Sequence, residues 1–178
     1  MNGLRVIGRR ALVIGLAAGL LFRAAVGNAG AAEEKPSGWV GDFQVGVIGN
    51  TVNGTGFAFN MGFDRYLASN LSVGPLVQIV NAGDLVQTGL SGMVKVWFDA
   101  KPGEHPLRIN LQGGAGFVHA SFGADDTSWM LPIGAEVDYE CQRGWHVTST
   151  FLLTFTDLDT GRGDDTVIMP TWTVGFRF

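Results

Sequence analysis

Between Trp39 and Phe178 apolar side chains recur at every second residue, and no segment shows the i, i+3, i+4, i+7 spacing of an amphipathic helix. Short clusters of Gly, Asn, Asp, Ser and Pro, the residues that turn a chain, divide the alternating stretches. The pattern predicts eight strands at 39–49, 56–67, 71–82, 86–99, 106–121, 128–140, 145–157 and 166–178, following one another as a meander. One face of these strands is apolar, from Phe43, Val45 and Val47 in the first to Trp172, Val174, Phe176 and Phe178 in the last. The other face is mixed, with Gln44, Asn60, Gln78, Ser91, Asn110, Gln112, Thr148, Thr150 and Thr173 among its neutral members.

Such alternation suits a soluble barrel with its apolar face inward or a membrane barrel with that face outward. Three features select the second. Large aromatics gather near the strand ends of the apolar face, with Phe57, Phe59, Trp129 and Phe155 at one rim and Phe63, Phe98, Tyr139, Trp145, Phe176 and Phe178 at the other. Interfacial girdles have that arrangement. The apolar face carries no charge in mid-strand, where a soluble barrel would present Lys and Glu. The opposite face is rich in Gly, Gln and Thr, which suit a narrow lumen. Lipid offers backbone N–H and C=O groups no partner, so a sheet at membrane depth has to close. The expected fold is therefore all-β, an eight-stranded antiparallel up-and-down transmembrane barrel with both termini on one side.

The segment before this barrel has a different chemistry. Arg5, Arg9 and Arg10 precede an apolar run from Ala11 to Phe22 and a small-residue stretch ending Asn28-Ala29-Gly30-Ala31-Ala32. That is the layout of a cleavable secretory signal peptide. Its apolar run is well short of the roughly 20 residues that a spanning helix needs. Arg9-Arg10 lacks the rest of a twin-arginine pattern and reads as an ordinary basic n-region. The organisation expected is a signal peptide over 1–31, cleaved after Ala31 or Ala32, a short segment over 32–38 and a barrel over 39–178. The signal takes Arg5, Arg9, Arg10 and Arg23 with it and no acidic residue. Of 12 basic residues 8 remain against 16 acidic ones, a formal charge of −8 that argues against nucleic acid as a partner. Cys141 is the sole cysteine, which excludes an internal disulfide.

The last residues, Pro170-Thr171-Trp172-Thr173-Val174-Gly175-Phe176-Arg177-Phe178, alternate and end on phenylalanine. They resemble the C-terminal β-signal of bacterial outer-membrane proteins, with Trp172, Val174, Phe176 and Phe178 as its apolar positions. Thr173 stands where that signal usually has glycine. The resemblance implies recognition by the barrel assembly machinery. The segment Gly62-Phe63-Asp64-Arg65-Tyr66-Leu67-Ala68-Ser69-Asn70-Leu71-Ser72-Val73-Gly74-Pro75 is similar to a strand–turn–strand unit of the outer membrane protein β-barrel domain family. Residues 39–178 as a whole resemble the small eight-stranded barrels of that family, which include the membrane domain of outer membrane protein A. The resemblance implies an outer-membrane location, with lipid and lipopolysaccharide as surroundings, and says little about activity.

Strand parity points Asp42, Asp64, Lys95, Arg108, Glu136, Asp138 and Arg177 into the lumen near the periplasmic ends of their strands. Their opposite charges are expected to pair as a plug, because a lone buried charge is costly and eight strands enclose an interior that side chains fill. The functional alternative is a small channel for ions or hydrophobic solutes. His119-Ala120-Ser121 has a His-x-Ser spacing similar to that of outer-membrane lipid A deacylases, a second alternative in which Ser121 is nucleophile and His119 base. The asparagine-containing stretch of that family is missing after Ser121. His105, His119 and His146 are scattered and no pair has ligand spacing, so no metal or cofactor is expected. The outer connections, about 50–55, 83–85, 122–127 and 158–165, carry Asp84, Asp125, Asp126, Asp159, Asp164 and Asp165 against Arg162, and they are too short to offer a protein ligand much surface. The expected protein is a non-enzymatic, monomeric outer-membrane barrel with a structural or surface-interaction role.

Overall fold

The computed structural model describes residues 38–103, 105–122, 124–142, 144–158 and 166–178. The expected signal peptide over 1–31 lies outside the described residues, as do Asp159, Arg162, Asp164 and Asp165. The strands are β1 (Trp39–Thr51), β2 (Gly54–Ala68), β3 (Leu71–Ala82), β4 (Leu85–Lys101), β5 (Leu107–Phe122), β6 (Ala124–Gln142), β7 (Trp145–Thr156) and β8 (Val167–Arg177). Each pairs antiparallel with its neighbours in sequence, and β8 pairs with β1 to close an all-β barrel. Beyond the last strand residue the main chain of Phe178 exchanges two hydrogen bonds with Gly41, at 2.9 and 3.0 Å, so the seam is bonded to the end of the chain.

The pairing register fixes the tilt. From Trp39 the ladder runs through Arg65, Val73, Val94, Gly113, Ile133, Leu153 and Pro170. It returns to β1 at Gly49, beside Pro170 and ten residues on from Trp39. A stagger of this kind tilts the strands and sets how wide the barrel can be. Tight connections hold the register: β3 and β4 are joined by Gly83 and Asp84 alone, with Gly83 in the left-handed region at φ 61°. The Asn53 amide donates to the Ala82 carbonyl at 2.7 Å and ties the two neighbouring outer turns together.

Parity divides the strands as a membrane barrel requires. Phe57, Leu90, Phe117, Ile133, Phe151, Trp172 and Phe176 lie on the outside and are exposed, Phe117 by 69% and Phe57 by 76%. On this surface the Trp172 indole N–H donates to Ser149 Oγ at 3.0 Å, diagonally across the β7–β8 pair. Inside, the half of the lumen away from the termini is richer in apolar side chains than the sequence pattern suggested, with Thr51, Gln87, Thr154 and Thr156 buried among them. Ile48, Ala58, Val80 and Met169 form one cluster there, and Ala82, Leu85, Val118, Ala120, Met130 and Leu158 another, with Leu76, Met93 and Leu152 packed further in. The outer connection expected at 122–127 is also absent as such. β5 and β6 continue pairing up to Phe122 and Ala124, which turns the expected loop into a projecting hairpin.

Glycine makes the interior narrow enough to fill. A Cβ on Gly116 would lie 1.9 Å from the Leu90 carbonyl oxygen, so the strands approach there to a separation no side chain permits. We predict that Gly116→Val lowers stability by about 1–3 kcal/mol, the usual range for overpacking, measured by denaturant unfolding of the barrel in lipid vesicles. Wild-type stability in this variant would contradict the close approach.

Candidate functional site

The strand ends near the termini place six charged side chains on one level of the lumen. Asp42 comes from β1, Asp64 from β2, Lys95 from β4, Glu136 and Asp138 from β6 and Arg177 from β8, and all are buried. Lys95 Nζ lies 2.9 Å from Asp64 Oδ2, 3.5 Å from Glu136 Oε2 and 3.6 Å from Asp42 Oδ2. The Arg177 guanidinium lies 3.3 Å from Asp64, 3.4 Å from Asp138 and 3.6 Å from Glu136. Asp64 and Glu136 are thus shared between both cations. Neutral hydroxyls join the set: Thr150 Oγ1 donates to Glu136 at 3.3 Å, and the Tyr66 hydroxyl accepts from Arg177 at 3.0 Å. His146 on β7 places Nδ1 2.5 Å from Asp138 Oδ1 at the edge of the layer.

Arg108 does not join these six, which corrects the expectation for it. Its Nε pairs with Asp99 at 2.9 Å, and its Nη2 donates to the Ser69 carbonyl at 3.0 Å. Parity gives the face on which a side chain lies but not its depth, and Arg108 sits nearer the mouth, partly exposed. Trp97, a residue that charge pairing alone does not reveal, occupies the intervening level. It is 3% exposed and donates its indole N–H to Ser72 Oγ at 2.9 Å. Both guanidiniums stack on its ring, Arg177 at 4.2 Å and Arg108 at 5.0 Å from the centroid, and both also lie over Tyr66. The signal for Trp97 was its position two residues beyond Lys95, which places a large aromatic on the luminal side.

On the other side of the charged layer, neutral side chains bond across the lumen. Gln78 donates to Asn60 at 3.1 Å, Asn60 contacts the Thr173 hydroxyl at 3.5 Å, and Thr173 donates to Gln44 at 2.6 Å. This accounts for Thr173 within the C-terminal motif: its hydroxyl belongs to a luminal network, while Trp172, Val174, Phe176 and Phe178 point outward and are exposed. A small cavity lined in part by Asp42, Gln44, Lys95, Gln112 and Glu136 has room for about one water molecule. With the apolar clusters beyond it, the lumen is filled at three levels.

His119 and Ser121 both face outward on β5 and are exposed. They are two residues apart on a strand, roughly 7 Å along it, and His119 Nδ1 makes its hydrogen bond to Thr127 Oγ1 at 2.8 Å. The geometry does not bring imidazole to the serine hydroxyl, and Glu136 is inside the barrel, so no carboxylate from that residue orients His119. Among the described residues no group of three His, Cys, Asp or Glu side chains is placed to hold a metal ion.

An apolar exterior around a closed eight-stranded barrel with a side-chain-filled polar and ionic interior defines the class: this is the fold of the small outer-membrane barrels. Solved structures carry the same architecture. Neisserial surface protein A superposes with a TM-score of 0.57 at 12% identity, covering 78% of this chain and 94% of that one. The N-terminal β-barrel domain of Pseudomonas aeruginosa OprF gives 0.56 at 13% identity, covering 79% and 96%. No protein-family profile and no curated protein matches the sequence.

Removing a cation from the layer should cost far more than removing the one at the mouth. Lys95→Met leaves Asp42 without its cation and Asp64 and Glu136 with Arg177 alone, and is predicted to cost about 3–5 kcal/mol, as when a buried pair loses one partner. Arg108→Ala, at the partly exposed rim, should cost about 1 kcal/mol or less. Unfolding both variants in lipid vesicles checks the contrast, and equal losses would contradict the layering.

Proposed function

We propose that the protein is a monomeric, non-catalytic barrel of the bacterial outer membrane with a structural or surface-interaction role and a lumen closed to solutes. The observation that carries this reading is the pairing of opposite surfaces on the same strands, a continuous apolar exterior and an interior occupied by ion pairs and apolar clusters. Lipid and lipopolysaccharide are the surroundings such an exterior suits. The outward row Trp172, Val174, Phe176 and Phe178 supports recognition of the nascent barrel by the assembly machinery, because those side chains sit on the strand that closes the seam.

The short connection between β3 and β4 and the narrow β5–β6 hairpin support a small contact area at the cell surface. The layered lumen speaks against the channel alternative, and the outward His119, bonded to Thr127, against the hydrolase alternative.

The folded protein in detergent should migrate differently from its boiled form on a gel, and in planar bilayers it should show no steady conductance. Lipid A incubated with it should keep its acyl chains, with Ser121→Ala indistinguishable from wild type. Steady conductance altered by Lys95→Ala would favour the channel, and deacylation lost in Ser121→Ala would favour the enzyme. Absence of a gel shift would count against the membrane barrel itself.

A further inference from the structure

Among the described residues the charged layer of the lumen is short of positive charge. Four carboxylates, those of Asp42, Asp64, Glu136 and Asp138, share two buried cations, Lys95 and Arg177. Arg108 does not make up the difference, since it is paired with Asp99 at the mouth. Two carboxylate oxygens, Asp42 Oδ2 and Glu136 Oε1, are buried with a cation near them but no hydrogen-bond donor. Each of the four residues is at most 5% exposed, so water does little to screen the excess. An uncompensated charge in such surroundings is expensive.

Every strand that faces the layer contributes to its balance in a definable way. β1 presents Asp42, β2 presents Asp64 and the Tyr66 hydroxyl, and β4 presents Lys95. β5 presents Arg108, over Trp97 and Tyr66, and the neutral amides of Asn110 and Gln112, the latter beside the cavity. β6 presents Glu136, Asp138 and, at the rim, Glu140, which lies opposite His146 in the ladder and accepts from the Gly144 N–H. β7 presents His146, and β8 presents Arg177, opposite His146 on its other side. β3 brings no titratable group to the layer, its nearest luminal side chain being Ser72. The imidazole of His146 is the group that connects the layer to the mouth, half-buried and 2.5 Å from Asp138.

We propose that this layer is a proton-binding site: the barrel folds with a proton held among the four carboxylates and the Asp138–His146 pair, and the unfolded chain releases it. A proton is the cation that fits. The adjoining cavity has room for about one water, and no group of three ligating side chains among the described residues is placed for a metal ion. The sign follows from the proton count. Unfolded carboxyl groups titrate at about pH 4 and imidazole at about 6.5, so both are deprotonated in the unfolded chain at alkaline pH. The folded state then holds more protons than the unfolded one, and stability falls as pH rises, by about tenfold in the unfolding equilibrium constant per pH unit for each proton. The inference rests on the luminal geometry and is independent of the role proposed for the protein.

The test is urea unfolding of the whole barrel in phosphatidylcholine vesicles, whose zwitterionic surface adds no pH-dependent potential, from about pH 7 to 9, above the ordinary imidazole range. Wild type should lose stability as pH rises. Asp42→Asn, which removes one negative charge at nearly constant volume, should be more stable than wild type at the alkaline end. A pH slope reduced in His146→Gln would place the proton on the Asp138–His146 pair, and a slope reduced in Asp42→Asn would place it among the carboxylates around Lys95. A flat or rising wild-type profile overturns the proposal, as does an Asp42→Asn barrel less stable than wild type at the alkaline end. Should either variant fail to fold, the wild-type profile alone decides.

Discussion

A peptide group surrounded by lipid has no hydrogen-bond partner outside its own chain, and this constraint shapes the whole molecule. It forces the sheet to close through the seam between β1 and β8, which pairs from Asp42 with Arg177 to Ile48 with Thr171 and is extended by the Gly41–Phe178 main-chain bonds. The same constraint governs side chains that are polar on the outside, such as Trp172, whose indole N–H is satisfied by Ser149 on the neighbouring strand. With eight strands and the observed stagger the enclosed space is narrow. Glycines such as Gly116, where a Cβ has no room, allow the strands to approach closely around it.

Closure moves the energetic problem to the inside. Alternation sends one side chain of every two into a space that water barely enters, so each polar group there needs a partner. The barrel meets much of this need in layers, while among the described residues polar atoms of Asp42, Glu136, Gln87 and Asn110 stay buried without a hydrogen bond. Near the termini Lys95 and Arg177 bind four carboxylates, and Trp97 with Tyr66 closes the layer toward Arg108 and the mouth. In the middle the amides of Gln44, Asn60 and Gln78 bond through Thr173. At the far end aliphatic side chains such as Ile48, Leu85 and Met130, which need no partner, make up much of the filling, around buried Gln87 and Thr156. Such an interior favours rigidity over passage.

Much of this was legible in the sequence because membrane alternation is a strict period. The strand spanning 71–82 has the same limits in the pattern and in the structure, and the apolar exterior follows directly from parity. What failed did so for identifiable reasons. Where both faces of a strand are apolar, as around Ile48 and Val80, alternation vanishes and the apolar layers of the lumen go unread. The acidic stretch Asp125–Asp126 has the composition of a loop, yet Ser121 pairs with Asp125 and Ala120 with Asp126. Above the lipid a hairpin can carry charge on its outer face, so polarity there no longer marks the end of a strand. Arg108 was assigned to the correct face but the wrong depth, because depth depends on the stagger between strands, which a single sequence does not display. His119 and Ser121 share a motif spacing without the hydrogen bond that would make the spacing chemical.

Lipid contacts the Phe-, Leu- and Val-rich face of the strands while the other face is enclosed. Nitroxide labels placed one at a time at Ile109, Asn110, Leu111, Gln112 and Phe117 of the β5 strand, in a Cys141→Ser background and in bilayers, measure this directly through collision with oxygen, which dissolves in lipid. Labels at positions 109, 111 and 117 should be readily reached by oxygen, and those at 110 and 112 shielded from it. Equal accessibility along the strand, or the reverse alternation, would contradict the account.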